Sequence, residues 1–422
     1  MLDFAIIPIE IAGYSRGLLD GLLKVGRRAQ FYEIAAQSSS CEADGPWGDH
    51  PNIVRVYRKS EAVIDRFRWY FQRANATRII GLYPKIVICQ FNMSMLPFGL
   101  DLIYLRLRGC KILSLAGHGS ESRPPHMDGQ GSSDLTLACQ IGLLAAAAKK
   151  IVSLKWRFSL TNWFFCSPAT GHFIPGNFFN TLDLGHPLSD SEFRYKTSSP
   201  DKRSSDVILR PLKQNIDQPF RILHARASFG SAKGTEYIRS VIAQLQLTHN
   251  IEFTEMIGVS KQQLAQAMSN HDLLIDQAYS DYPLPVISAE AMARGLPSLV
   301  CGYFKDEYRP YLKFDPPVLT SRPENLEALM RELLNWDDDD WTKLKDSSYA
   351  FVSAHFRTEE VALKLLSVIA GGTNQSDVSI TNRKSITYFQ GAGTSESVMR
   401  AIRKSRIMKF SPGRKWAFPP KE

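Results

Sequence analysis

The chain has 422 residues, of which 44% are hydrophobic and 22% charged, a composition that is ordinary for globular proteins. This length exceeds the usual size of one hydrophobic core, so two domains of about 150 to 200 residues are expected. The formal net charge is +9, but residues 371–422 hold ten Lys or Arg against three acids, which leaves a nearly neutral body. This distribution argues against a nucleic-acid partner.

The six cysteines form no C-x-x-C pair, and most lie inside apolar runs. We interpret them as reduced core residues of a cytosolic protein rather than as disulfides or zinc ligands. The N-terminal MLDFAIIPIE has no basic n-region and predicts a buried strand instead of a signal peptide. The longest apolar run, residues 141–148, ends at Lys149 and is shorter than the roughly 18 residues of a membrane-spanning helix. The sequence thus predicts a chain that does not cross a membrane.

Strands and helices alternate along the first half of the chain. Strands are predicted at residues 5–9, 31–35, 85–90, 111–115, 151–154 and 163–166, and helices at residues 18–25, before Gly109 and at residues 133–148. Such alternation predicts a parallel sheet whose loops meet at one edge. Gly13 lies at the first strand-to-helix turn, where it permits either the approach of a ligand's phosphate or sugar, or only an ordinary tight turn.

A polar segment at residues 189–218 breaks this pattern, and a second series follows it. Strands are predicted at residues 220–224, 251–257, 273–276 and 298–301, and helices at residues 234–245, from Ser260, and at 286–294, 323–336, 341–356 and 358–369. Residues 277–285 are polar and proline-rich and predict a turn. We therefore expect domains at residues 1–190 and 191–370, followed by a basic and flexible tail at residues 371–422.

Three segments of the second half resemble the retaining nucleotide-sugar glycosyltransferases of family 4, also called glycosyl transferases group 1. Residues 222–235 look like the first strand and phosphate loop of their donor domain. Residues 290–297, EAMARGLP, match the E-A-M-A-x-G-x-P core of the donor-site signature, and residues 351–369 resemble the closing helices. In the first half, residues 11–26 and the HGS sequence from His118 are similar to loops of the acceptor domain. The resemblance implies the GT-B fold, with two Rossmann-like domains whose parallel sheets face each other across a cleft.

A donor site follows from these residues. Arg226 and Lys233 can flank a nucleoside diphosphate, and the helix that opens at Gly234 offers backbone N–H groups. These charges would also neutralise the departing diphosphate, so the expected reaction requires neither a metal ion nor a cofactor. Glu290 can accept hydrogen bonds from the ribose hydroxyls, unless it is merely a glutamate favoured in a first helical turn. By resemblance, Ala291 and Met292 belong to the same nucleotide site.

The donor sugar and the acceptor are less clearly marked. The family's first motif glutamate falls at Tyr282, beside Asp281, so either of these residues holds the sugar or the sugar is held differently. By resemblance, His118 contacts the transferred sugar near its reacting centre; the alternative is a histidine that caps a loop. Glu121 and Arg123 are candidates for the acceptor loop, or form a surface ion pair.

The sequence predicts a glycosyltransferase that moves a sugar from a nucleoside-diphosphate sugar to a saccharide or lipid-linked glycan, with retention, in surface polysaccharide or glycan synthesis. Two alternatives stay open: a nucleotide-sugar 2-epimerase of the same fold, and a catalytically degenerate module that binds nucleotide or glycan. Residues 400–415 interleave basic and apolar side chains and are either a contact with an anionic membrane or a solvated tail. The expected location is the cytoplasm, at the inner face of the membrane if the tail binds there.

Overall fold

The computed structural model describes residues 3–35, 50–57, 62–116, 119, 121–127, 136–195, 218–226, 233–302, 311–371, 378–382, 400–401 and 404. The chain forms two compact units. The first comprises Met1–Pro124, Ala145–Leu188 and Arg357–Ile386, and the second comprises Pro125–Leu144, Ser189–Phe356 and Thr387–Glu422. The chain therefore passes between the units several times.

The first unit is built on an eight-stranded sheet. In chain order its strands are β1 (Phe4–Ile7), β2 (Ala29–Ala35), β3 (Ile53–Tyr57), β4 (Ile86–Gln90), β5 (Lys111–Leu115), β6 (Trp163–Cys166), β7 (Phe178–Asn180) and, near the C-terminus, the short β13 (Ile380–Thr381). Their order in the sheet is β13-β7-β6-β5-β4-β1-β2-β3. All neighbours are parallel except β13 and β7, which are antiparallel. The carboxyl ends of β1 to β7 therefore share one edge.

Helices cover both faces of this sheet. They are α1 (Tyr14–Lys24), α2 (Val63–Ile80), α3 (Leu100–Leu107), the later part of α4 (Leu137–Leu160), the short α5 (Thr181–Leu184) and α11 (Thr358–Ile369). α1 and α11 pack together on one face, where Leu18 and Leu365 share a core with Phe31. On the other face, Ile80 of α2 and Leu105 of α3 pack in a second core.

The second unit contains a smaller, five-stranded sheet. Its strands are β8 (Phe220–Arg226), β9 (Ile251–Ile257), β10 (Leu273–Ser280), β11 (Ser298–Gly302) and β12 (Leu319–Ser321). Their order is β12-β11-β10-β8-β9, and every neighbouring pair is parallel. The helices are α6 (Thr235–Gln246), α7 (Lys261–Met268), α8 (Val286–Ala293), α9 (Leu326–Leu333) and α10 (Asp338–His355). Both units thus have the parallel α/β architecture that the sequence predicts.

One helix belongs to a different unit from the one expected. α11 packs against α1 of the first unit, whereas the predicted boundaries put residues 358–369 in the second domain. Gly21 of α1 makes the close approach of these helices possible, because a Cβ there would lie 2.0 Å from the carbonyl oxygen of Thr358.

The strand predicted at residues 151–154 is wrong, because α4 continues without interruption to Leu160. Lys149 and Lys150 suggest a break between two elements, but Lys149 instead lies on the exposed side of one long helix. At 24 residues, α4 is the one helix among the described residues that is long and apolar enough to span a membrane, by length and composition alone. The sequence prediction concerns only uninterrupted apolar runs, and Lys149 and Lys150 end that run, whereas α4 continues through them.

The turn predicted at residues 277–285 begins later than expected. β10 continues to Ser280, with irregular register opposite β11, and the two prolines come only after its last residue. The capping box predicted from Ser260 is confirmed: its hydroxyl accepts from the backbone N–H of Gln263, and the Gln263 side chain accepts from the backbone N–H of Ser260.

Candidate functional site

The turn between β8 and α6 brings a glycine and a lysine to the carboxyl edge of the second sheet. Gly234 precedes the first residue of α6 and has a φ of 69°. A Cβ at this position would lie 2.7 Å from both Ala278 and the ring of Tyr279. The left-handed backbone and the lack of space each favour glycine. The start of α6, where N–H groups without intrahelical partners favour anions, is thereby held close to β10.

Lys233 is anchored at this edge by a buried carboxylate. Its ammonium donates to Oδ1 of Asp276 at 2.6 Å and to the carbonyl oxygen of Ala225 at 2.9 Å. Asp276 is fully buried, and its Oδ2 accepts from the hydroxyl of Ser288 at 2.8 Å. The Lys233 side chain itself is 25% exposed. The ammonium is thus fixed in position by β8 and β10, while part of the side chain remains accessible to solvent.

His224 fixes the first residue of α6. Its Nδ1 lies 2.8 Å from the carbonyl oxygen of Ile275, and its Nε2 lies 2.9 Å from the hydroxyl of Thr235. Because a carbonyl only accepts, Nδ1 carries the proton and Nε2 accepts from Thr235. Burial lowers the pKa of His224, and nearby Lys233 adds to this effect. A neutral imidazole therefore ties α6 to β10.

Arg226 is bound to a neighbouring strand. Its guanidinium donates twice to Oε1 of Glu255, at 3.1 and 2.8 Å. Glu255 also accepts from Arg239 of α6 at 2.7 Å, and this bond is the largest cause that holds the pKa of Glu255 below its usual range. Both cations are thus paired with carboxylates of the second unit, and the side chain of Lys233 is the more exposed, at 25% against 9% for Arg226.

Glu290 lies one turn inside α8, whose first turn contains no acidic residue. The explanation that it is merely a first-turn glutamate therefore does not apply. Its carboxylate is buried and lies 3.1 Å from the ammonium of Lys261. Lys261 also contacts Glu192 at 2.9 Å, and Glu192 lies 2.5 Å from Arg294. These four side chains form a charge-balanced cluster, which we call the Glu290 cluster.

The two carboxylates of the Glu290 cluster differ in their proton affinity. Burial raises the pKa of Glu290, and Glu192 adds to the rise while Lys261 opposes it. Burial alone would raise the pKa of Glu192 too, but Lys261 and Arg294 together hold it below its ordinary value. Desolvation lowers the pKa of Lys261, but the carboxylates of Glu290 and Glu192 outweigh this effect and raise it. The lysine side chain is 50% exposed, so it is the member of the cluster that can move most easily.

Sequence reasoning missed Lys261 and Glu192. One signal was available for Lys261, which occupies the first position of α7. A cation at a helix N-terminus is unfavourable beside the positive end of the helix dipole. A lysine there therefore predicts a nearby carboxylate that compensates for this effect. No comparable signal marks Glu192, because its partners are far away in the sequence.

The other predicted donor-side residues are buried. Ala291 and Met292 are fully enclosed, and Ala291 belongs to the core between α8 and β8. Asp281 is 4% and Tyr282 9% exposed. The turn that contains them is held by Ser280, whose hydroxyl donates to the Tyr282 carbonyl at 2.7 Å. These residues shape the end of β10 and present little side-chain surface.

The predicted acceptor-side residues lie in the first unit. Gly13 precedes α1 with a φ of 79°. The carbonyl oxygen of Arg123 accepts from Lys150 at 2.7 Å, and Glu121 lies close enough to Cys166 to affect its thiol, whose pKa burial raises to about 12. His118 lies outside the described residues.

Comparison with solved structures shows the fold. HepE of Anabaena, in complex with UDP and glucose, matches with a TM-score of 0.55 and 11% sequence identity over 88% of this chain and 100% of HepE. Its complex with UDP-glucose matches with a TM-score of 0.54 over the same shares. Sucrose-phosphate synthase of Thermosynechococcus elongatus matches with a TM-score of 0.51 and 14% identity over 89% of this chain and 100% of that protein.

No protein-family model matches the sequence, and no curated protein matches it. The structural similarities show a shared fold, GT-B, which consists of two Rossmann-like domains. Identities of 11 to 14% carry the comparison no further than the fold.

Proposed function

We propose that this protein is a glycosyltransferase of the retaining family 4 type, which moves a sugar from a nucleoside-diphosphate donor to a saccharide or lipid-linked glycan in surface polysaccharide synthesis. One observation carries the proposal: the partly exposed side chain of Lys233 lies directly before helix α6, at the carboxyl edge of the sheet. Helix α8, which contains Glu290, follows β10 at the same edge. Ligands of parallel α/β sheets bind at this edge. The nucleotide and glucose bound by HepE, which shares the fold, support a nucleotide-linked sugar as the donor.

The diphosphate binds between Lys233 and the start of α6. Backbone N–H groups at a helix start and a fixed ammonium both favour an anion. Arg226 has a smaller part, because two of its N–H groups already donate to Glu255. As the glycosidic bond breaks, negative charge grows on the leaving diphosphate, and Lys233 and the helix dipole stabilise it. The acceptor attacks the face from which the diphosphate departs, so no nucleophilic side chain is required.

The ribose binds at the Glu290 cluster. Lys261 contacts Oε1 of Glu290, and the ribose hydroxyls donate to this carboxylate as Lys261 shares or leaves it. Lys261 is half exposed and can turn toward solvent. When the nucleotide binds, the ribose hydroxyls thus replace or join Lys261 as partners of Glu290, and the buried carboxylate stays hydrogen-bonded.

We assign acceptor binding to His118, Gly13, Glu121 and Arg123. Binding of the donor sugar is assigned to Asp281 or Tyr282. Sequence resemblance supports His118 at the reacting centre. We further propose a cytoplasmic location in which residues 400–415, most of which lie outside the described residues, contact the inner face of the membrane. A chain that ends at Gly372 should then bind anionic vesicles less well than the full chain.

The donor site is tested by isothermal titration and by transfer assays with a panel of nucleoside-diphosphate sugars. Lys233→Met alone leaves Asp276 buried without its cation, so we pair it with Asp276→Asn to restore neutrality. The double variant and Glu290→Gln should each bind the donor roughly tenfold or more weakly, because each loses a charged contact. Glu327→Gln serves as the control, since this side chain lies on α9, is 44% exposed and contacts Arg331 of the same helix.

The outcomes separate the candidate functions. Wild-type affinity in both variants refutes the donor site as assigned. Donor binding without transfer to any acceptor indicates the non-catalytic module, and conversion of the donor to its 2-epimer indicates the epimerase.

A further inference from the structure

Helix α2 of the first unit has apolar side chains on two sides. Its inner side packs on the sheet through Ala76 and Ile80, and the guanidinium of Arg73 lies 4.3 Å from the ring centroid of Trp69. Its outer side carries five further apolar residues at helical spacing, which we call the outer stripe. They are exposed by 78%, 64%, 78%, 44% and 75% at Val63, Ile64, Phe67, Tyr70 and Phe71, respectively. Contiguous exposed apolar surface of this kind marks an interaction site.

Hydrogen bonds connect α2 with other exposed apolar residues of the same unit. Arg73 donates to the carbonyl oxygen of Met95. The segment around Met95 also presents Phe98, which is 82% exposed. The indole N–H of Trp156, on α4, donates to the carbonyl oxygen of Phe98 at 2.9 Å, and this indole side chain is itself 45% exposed. Phe98 and Trp156 therefore form a second exposed apolar group of the first unit, joined to each other by this hydrogen bond.

The charges beside this surface are almost all positive. Arg66 and Arg68 are exposed next to the outer stripe, and Lys149 and Lys155 are exposed on α4. α4 contains no acidic residue, and Asp65 is the single acid of α2. Aromatic and apolar side chains mixed with exposed cations are typical of helices that lie in the headgroup region of a membrane. The two exposed lysines of α4 add to this, because protein interfaces are depleted in lysine. The charge is complementary to anionic lipid.

We propose that the outer stripe, with Phe98 and Trp156, docks the first unit onto the surface of an anionic lipid bilayer. The helices lie in the interface and do not span it. α2 packs on the sheet through its inner side, and α4 carries four cations within residues 149–157, which are costly at the centre of a bilayer. This surface includes no residue of the basic tail, and the proposal does not depend on the transferase activity.

Flotation of the full chain with vesicles of phosphatidylcholine and phosphatidylglycerol in about equal parts tests the proposal. Phe67→Ser/Phe71→Ser should lower the vesicle-bound fraction roughly tenfold or more, because the bilayer no longer buries two aromatic rings. Arg66→Gln/Arg68→Gln should lower it severalfold, and high salt should do the same to the wild type. Leu247→Ser is the matched control, since Leu247 is 77% exposed but lies in the second unit. All substituted side chains are exposed, so circular dichroism should show a wild-type fold.

Two results would overturn the proposal. In the first, the Phe67→Ser/Phe71→Ser variant floats like the wild type while a chain ending at Gly372 does not, which assigns membrane binding to the tail. In the second, the wild type fails to float but sediments as a dimer that the same double substitution dissociates, which assigns the surface to a second copy of the chain.

Discussion

The helices α1 and α6 begin in the same way but differ in what occupies their starts. Each follows the first strand of its unit and is preceded by a glycine with positive φ, Gly13 at 79° and Gly234 at 69°. At α1, the backbone N–H of Arg16 donates to the carboxylate of Glu10 at 2.8 Å, so the chain supplies its own anion. At α6, the preceding side chain is the cation Lys233.

This difference shows that a glycine turn before a helix does not identify an anion site by itself. The helix dipole of α1 is already complemented by Glu10, and an incoming phosphate would meet a negative charge there. At α6 the residue before the glycine is a lysine, paired with the buried Asp276, and the acid of the first turn, Glu236, is 83% exposed. The charge placed beside the turn, rather than the glycine, therefore distinguishes the two helix starts.

The largest expected change in the free energy of unfolding comes from a substitution at Gly234, which tests how closely α6 is held to β10. Gly234→Ala should lower the free energy of unfolding by about 3 kcal/mol, because left-handed strain adds to overlap with Ala278 and Tyr279. The control is Gly26→Ala, where φ is 74° but no heavy atom lies within 4 Å of the added Cβ, so about 1 kcal/mol is expected. Urea unfolding measures both, and equal losses would show that α6 tolerates displacement from β10.

A smaller effect is expected at α1. Glu10→Ala removes the carboxylate that caps the helix and should cost about 1 to 2 kcal/mol. Glu236→Ala, in the first turn of α6, should change the stability by less than about 0.5 kcal/mol, because Glu236 is exposed and makes a surface ion pair. If thermal and urea unfolding gave the same result for both variants, the contrast between the two helix starts would lose its energetic basis.

The smallest effect concerns His224, which ties α6 to β10 as a neutral imidazole. Its pKa in the folded protein lies below the ordinary 6.5, so the unfolded chain binds more protons in acid. The stabilising contribution is complete above about pH 6.5 and is lost as the pH falls through the folded-state pKa, at no more than about 1.4 kcal/mol per pH unit. His224→Gln should show a flatter decline between neutral and mildly acidic pH in urea titrations. Parallel curves for the two proteins would contradict a neutral His224.

The strand-helix alternation, the parallel sheets and the Ser260 capping box could be predicted because each depends on neighbouring residues. Helix α2 could not be predicted in this way. Its inner and outer sides are both apolar, so its sequence shows no single apolar stripe at helical spacing. The sequence predicts a helix and a strand in place of α4, because Lys149 and Lys150 resemble a boundary between two elements. A long helix can carry such lysines on its exposed side.

For the candidate site, the sequence marked Lys233, Gly234 and Glu290 but not their partners. The sequence predicts Asp276 only as the end of a strand, whereas its side chain anchors Lys233. Glu192 and Lys261 reach Glu290 from other elements of the second unit. Such contacts depend on how strands and helices pack, which local periodicity does not specify.

The path of the chain has a practical consequence for protein engineering. The chain leaves the first unit after Leu188 and returns to it at Arg357. These two residues are partners in a parallel β-bridge. Residues 189–356 are thus an insertion whose two ends emerge side by side from the first unit. Excision of this segment and fusion of Leu188 to Arg357 through a short linker would retain α11 and β13 in the first unit. Truncation after residue 188 would remove both elements and expose the face of α1 that α11 covers.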